Sequence, residues 1–249
     1  MTLGRYALLP VALAQFAAPV LPALGIGEPI GDRATYDGFP PELPLGVFFS
    51  IWGVIFSGFL AVALLALLKP NHVYDRVAGP LALAGLGNVV WMVSAQSFGL
   101  SWLDFLLLVP MLFCAWEAAH RLNAIGGFDG TGRRLLLCLV VGLLAGWLSV
   151  ALSISGPEFF RDMLDRGPTD APWHSLWVTL LPAAILAVTF ARFVSASLWY
   201  FVALGWGLSG IVANNWWRTE MHFLAIAAAV VGLLLVRTRL KMGAERRTA

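Results

Sequence analysis

Charge is what this sequence has least of. Asp, Glu, Lys and Arg make up 12% of its 249 residues, about half the ~25% of an ordinary soluble domain. So little polar surface excludes most soluble folds. Apolar residues reach 59%, with a mean hydropathy of +0.81, which excludes disorder, because disorder needs low hydrophobicity and high charge. The net charge of +2 is small and scattered, so no nucleic-acid partner is expected. Only two cysteines are present, Cys114 and Cys138, both in apolar runs. They offer no loop disulfide, and two isolated thiols do not make a metal site.

Reactive motifs are missing as well. There is no nucleophile elbow, no HExxH, no phosphate loop and no dinucleotide fingerprint. No apolar run holds the file of carboxylates or arginines that marks proton pumps and voltage sensors. His174 and His222 lack further ligands at metal-site spacing. The expectation is a protein that is not an enzyme, with no certain cofactor.

Long apolar runs are what the sequence does have. Eight stretches, at about 6–26, 46–68, 77–98, 101–119, 135–155, 173–191, 195–213 and 221–236, are each near the ~20 residues that cross a bilayer. They show no period of two, and outside closed barrels only helices satisfy their own backbone in lipid. The fold class expected is an all-α integral membrane protein of about eight transmembrane helices. Pro10, Pro19, Pro22, Pro80, Pro110 and Pro182 fall inside these runs, where neighbouring helices in a bundle re-satisfy the freed carbonyls. The first run is read as a retained helix: it is too long for a signal peptide, holds three of those prolines, and lacks a clear small-x-small site before Gly27.

Twelve Lys and Arg side chains fall in segments on the side of the termini, and four, Arg33, Arg161, Arg166 and Arg218, on the other. That bias predicts cytoplasmic termini, with the basic tail 237–249 as an anchor at anionic lipid. Two longer outer loops, about 27–45 and 156–172, are acidic and rich in Pro or Gly. Gly38-Phe39-Pro40-Pro41-Glu42-Leu43-Pro44 is extended by its prolines, and either a lid or a plain connector fits it.

Tryptophan is over-represented, with eleven residues. An interfacial belt accounts for Trp102, Trp173, Trp177, Trp199, Trp216 and Trp217 near span ends. It does not account for Trp52, Trp91, Trp147 and Trp206, deep in their spans beside Gly53, Gly146, Gly205 and Gly207. Those four suggest either a cavity with flat aromatic walls or plain core packing. Asn88 sits three residues before Trp91, on the same helix face, and an intramembrane amide needs a partner or a function. Asp104 opens the fourth run, where it favours a helix N-terminus. Glu117, His120 and Arg121 read as a solvated ionic cluster. Ser149 and Ser153 read as serines bonding back to the preceding turn.

Phe48-Phe49-Ser50-Ile51-Trp52-Gly53-Val54-Ile55-Phe56 resembles the second-span motif of the tryptophan-rich sensory protein family, TspO/MBR or translocator proteins, in its extended bacterial form. Gly87-Asn88-Val89-Val90-Trp91 resembles the N-x-x-W of the third span. Trp102-Leu103-Asp104-Phe105-Leu106-Leu107-Leu108 resembles the L-D-x-x-L-L of the fourth. Gly146-Trp147-Leu148-Ser149-Val150-Ala151 resembles the W-x-x-x-A of the fifth. The chain departs from the pattern in two places: Tyr36 and Phe39 stand where the first outer loop carries tryptophans, and Leu143-Leu144 where the fifth span has P-Y.

The resemblance implies a TspO/MBR-like five-helix bundle over 1–155, three additional transmembrane helices over 156–236, and a cavity for a flat hydrophobic ligand. Porphyrin, haem or a sterol is the ligand the family suggests. Carried over by motif, the ligand-binding candidates are Trp52, Asn88, Trp91, Asp104, Trp147 and Ala151. Few charges are expected at this cavity beyond Asp104. Three functions remain open: a membrane sensor or binding protein, a permease of another class, and a structural subunit or assembly factor. For the last, Gly142-x-x-x-Gly146 and the alanines at 225 and 227–229 offer a small-residue face. The partners expected are membrane lipid and a hydrophobic small molecule, with a homodimer left open. The location expected is the bacterial inner membrane.

Overall fold

In the computed structural model, residues 3–28, 39–125 and 131–248 are described, without the side chains of Leu3, Thr131 and residues beyond 241. Residues 29–38, including Arg33, Tyr36 and Gly38 of the first outer loop, lie outside the described residues, as do the side chains of Arg246 and Arg247 in the tail. Among the described residues eight α-helices follow one another: α1 (Leu3–Ala17), α2 (Ile51–Leu68), α3 (His72–Ser97), α4 (Ser101–Ile125), α5 (Thr131–Met163), α6 (Pro172–Thr189), α7 (Leu198–Trp217) and α8 (His222–Thr248). No strand occurs among the described residues. Seven of the helices are long and apolar enough to cross a membrane, and the chain is an all-α membrane protein. The eighth, α7, is lowered in hydropathy by Asn214 and Asn215, which have their own partners in the bundle.

Local sequence explains most element ends. Pro19 and Pro22 lack the N–H that an α-helix needs, so α1 closes in a 3₁₀ segment, Ala18–Leu24. Asn71 caps α3 by accepting from the Val73 N–H at 2.9 Å, which starts this helix earlier than hydropathy alone suggests. A π-turn, Phe190–Val194, ends α6. Pro157 does not stop α5, which runs for 33 residues, about 50 Å at 1.5 Å per residue.

The helices close two rings that share one wall. The first runs α1–α2–α5–α4–α3 and back to α1; the second runs α5–α7–α8–α6 and back to α5. Small residues set the close approach of α5 to α7. A methyl on Gly146 would overlap the Tyr200 carbonyl, and one on Gly142 would lie 2.6 Å from both Trp199 Cβ and Ser197 Oγ. The Gly142-x-x-x-Gly146 face is therefore spent inside the molecule, as are Ala225 and Ala228, both buried. Tyr200, fully buried, donates to Ser149 Oγ at 3.0 Å and stacks on Phe190 at 3.8 Å. Ser149 and Ser153 do bond back, to the carbonyls of Ala145 and Ser149. Glu117 pairs with Arg121 at 2.6 Å on an exposed surface.

Candidate functional site

The first ring opens at the face opposite the termini, the face that the charge bias predicts to be the outer one. A cavity of about 930 Å³ lies there, within the usual size range for small-molecule sites. Three helices bring its apolar floor together. Trp52 stands in the first turn of α2, Trp91 two turns before the end of α3, and Trp147 in the middle of α5. Trp147 is 1% exposed. It meets Trp52 edge-on at 6.2 Å and 86°, and Phe49 edge-on at 5.6 Å and 90°. Edge-to-face rings at such separations attract through their quadrupoles, so the three rings brace one another.

Five of the six sequence candidates, Trp52, Trp91, Asp104, Trp147 and Ala151, line this one cavity. Asn88 does not. It lies one turn deeper than Trp91, is 0% exposed, and has no hydrogen-bond partner on either amide atom among the described residues. Trp206 is also elsewhere. It is 41% exposed, packs on Phe48, and donates its indole N–H to the Phe48 carbonyl at 2.7 Å. Trp206, though deep in its span like Trp147, is thus not part of this aromatic floor.

The expectation of few charges is overturned. Glu28, Glu42, Asp104, Glu158, Arg161, Asp162 and Arg166 all lie on the wall. The cause is the length of α5. Hydropathy ends the fifth span near 155, but the helix continues, and its face reads Trp147, Ala151, Ile154, Ser155, Glu158, Arg161, Asp162. That is helical spacing on one stripe, running from indole to charge. The same spacing is present in the sequence, where Pro157 and the onset of charge disguise it as a helix end.

The proline loop sits over the mouth, and both rings hold it there. Glu42 is 1% exposed and forms an ion pair with Arg161 of α5, which also donates to Ser175 Oγ of α6 at 3.1 Å. From α7, Asn214 donates to the Pro40 carbonyl at 3.0 Å and Asn215 to the Pro41 carbonyl. Arg218 lies 3.5 Å over the Phe39 ring, a cation–π contact. Leu45 N–H donates to the Gly210 carbonyl at 3.0 Å. On the opposite rim, Gly27 has φ +76°, and a Cβ there would lie 2.5 Å from the Gln96 carbonyl oxygen. Only glycine satisfies both the left-handed backbone and that space.

Burial pushes the Glu42 carboxyl above its ordinary value, and the Arg161 guanidinium offsets this only in part. The docked loop therefore holds a proton more readily than a loop free in water. Docking should strengthen as pH falls through that raised value and level off below about 4.3, where a free glutamate is itself protonated. A spin label at Leu43 should lose mobility on mild acidification; a gain would contradict the sign.

A smaller cavity, about 480 Å³, opens near the opposite ends of α4 and α5 beside the α6–α7 connection, and it contains none of the six candidates. No group of three or more His, Cys, Asp or Glu suited to a metal occurs among the described residues.

No match is found to a curated protein or to a solved structure. The family model for the TSPO-like protein matches residues 42–239, from the loop over the cavity through α8. With that match over most of its length, the chain belongs to the TSPO-like family.

Proposed function

We propose that this protein is a non-catalytic membrane sensor or binding and transport protein for a flat hydrophobic ligand, a tetrapyrrole or a sterol-like lipid, held in the outer cavity. The observation that supports this reading is the convergence of Trp52, Trp91 and Trp147, from three helices, on one cavity. Flat indole faces suit a flat apolar molecule, each good aromatic contact contributing roughly 0.5–1.5 kcal/mol beyond area burial. The first five helices form the binding unit. Helix α7 and the residue after it hold its loop, through Asn214, Asn215 and Arg218. The charge bias of the loops supports cytoplasmic termini in a bacterial inner membrane. The structural-subunit reading loses its main support, because the small-residue face on α5 packs against α7.

Titration with a flat hydrophobic ligand, followed by tryptophan quenching, tests the proposal. Trp52→Ala should weaken binding about tenfold, a loss of ~1.4 kcal/mol. Trp216 packs on His222, 4.7 Å between rings and away from the cavity; Trp216→Ala should leave affinity unchanged. The reverse pattern would move the site into the last three helices.

A further inference from the structure

The smaller cavity, on the side of the termini, gathers hydrogen-bond donors and, among the described residues, no acid. Arg134 stands exposed at the start of α5. It reaches the Cys138 thiol one turn on and makes no ion pair among the described residues. The acids described on that side, Asp75 and Glu117, are taken by Arg5 and Arg121. The start of α7 lies on the same wall. Ser197 is its N-cap but makes no capping bond, and the Leu198 and Trp199 N–H groups have no acceptor among the described residues. Unmet donors and the helix dipole together favour an anion there. Arg239 donates to the Ala196 carbonyl at 2.6 Å, between the two serines of this turn, and adds positive charge beside it. An independent observation points to a ligand. Ser195 is 8% exposed and lies on the wall. Its N–H is bonded to the Phe190 carbonyl, but its hydroxyl has no partner among the described residues, and the oxygen is not sealed off from the cavity. A hydroxyl buried this far normally has a partner, and an oxyanion in the cavity would supply one.

We propose that this cavity holds the phosphate of an anionic lipid headgroup. The Arg134 guanidinium, the Ser195 and Ser197 hydroxyls and the first N–H groups of α7 donate to its oxygens, the guanidinium through charge-assisted bonds. The rest of the wall favours a lipid over a soluble phosphate. Leu122, Val141 and Leu198 are apolar, and Trp199 is an indole at a span end, the depth at which headgroups lie. This cavity shares no residue with the outer one, so the inference does not depend on the proposed function.

The two cysteines report occupancy, because both thiols are free and Cys138 lies on the wall while Cys114 does not. Full-length protein in neutral detergent is titrated with dioctanoyl phosphatidate, dioctanoyl phosphatidylcholine or glycerol 3-phosphate. Alkylation of each thiol by N-ethylmaleimide is then followed by peptide mass spectrometry. Phosphatidate at saturation should slow alkylation of Cys138 at least fivefold and leave Cys114 unchanged. Phosphatidylcholine carries its own cation and glycerol 3-phosphate lacks the chains, so each should need at least tenfold more to protect Cys138. Arg134→Gln should raise the phosphatidate midpoint at least tenfold, and Ser195→Ala about threefold. Midpoints rather than rates are compared, since Arg134 touches Cys138. Arg121→Gln removes a positive charge from the same side but off the wall; it should leave the midpoint unchanged, which separates a site from general attraction to anionic lipid. No protection of Cys138, equal protection of Cys114, or an Arg121→Gln shift as large as that of Arg134→Gln would overturn the inference. Equal potency of phosphatidylcholine would overturn the preference for an anion, and equal potency of glycerol 3-phosphate would overturn the lipid as its source.

Discussion

Replacing Arg161 by alanine is expected to destabilise the protein by about 3–5 kcal/mol, the usual cost of leaving one member of a buried ion pair alone. Glu42 would stay 1% exposed with no guanidinium, and Ser175 would lose its donor. Thermal unfolding in detergent should show a markedly lower midpoint. The double variant Arg161→Met/Glu42→Leu should recover most of the loss, because an apolar pair of similar volume replaces a buried ion pair at little net cost. An Arg161→Ala protein that melts like the parent would mean that the loop is not docked as described. A double variant no better than the single one would shift the cause from charge to packing.

Trp147→Ala should have the other large effect, on stability and on binding together. Its ring is buried and braces Trp52 and Phe49. Truncating a buried tryptophan costs roughly 3–5 kcal/mol in lost burial and cavity formation. The cavity floor loses its centre as well, so affinity for a flat hydrophobic ligand should fall at least tenfold, about 1.4 kcal/mol. Trp147→Phe keeps an aromatic edge and should recover much of both. A variant that is destabilised yet binds normally would make Trp147 a core residue alone. Melting curves and quenching titrations on the same preparations distinguish these outcomes.

The helices are legible in the sequence because lipid leaves the backbone few choices. Any run of about 20 apolar residues must be helical there, and the eight runs expected from hydropathy match α1 to α8 in order. The aromatic floor is legible too. Trp52, Trp91 and Trp147 lie too deep in their spans for the headgroup belt, and that depth sets them apart from the tryptophans at span ends. What hydropathy misses lies where the chain leaves the apolar layer. The last turns of α5 carry Glu158, Arg161 and Asp162, and charge there reads as loop unless the helical period is followed past Pro157. The docking of the proline loop is hidden for another reason. Asn214 and Asn215 lie over 170 residues from Pro40 and Pro41, and no local pattern announces such a long-range contact. The spacing of Asn88 and Trp91 gives a shared helix face, but a periodicity gives direction and not depth. Asn88 lies a turn below the cavity that Trp91 reaches.

The most direct test of the central claim is photolabelling with a flat hydrophobic compound carrying a diazirine, followed by peptide mapping. Labels are expected on Phe49–Trp52, on Trp91–Phe98 and on Trp147–Glu158, all lining or flanking the outer cavity, and excess unlabelled ligand should compete them away. Competed labels confined to the smaller cavity, at Ser195–Trp199, or labels spread without competition over the lipid-facing side of α8, would contradict it.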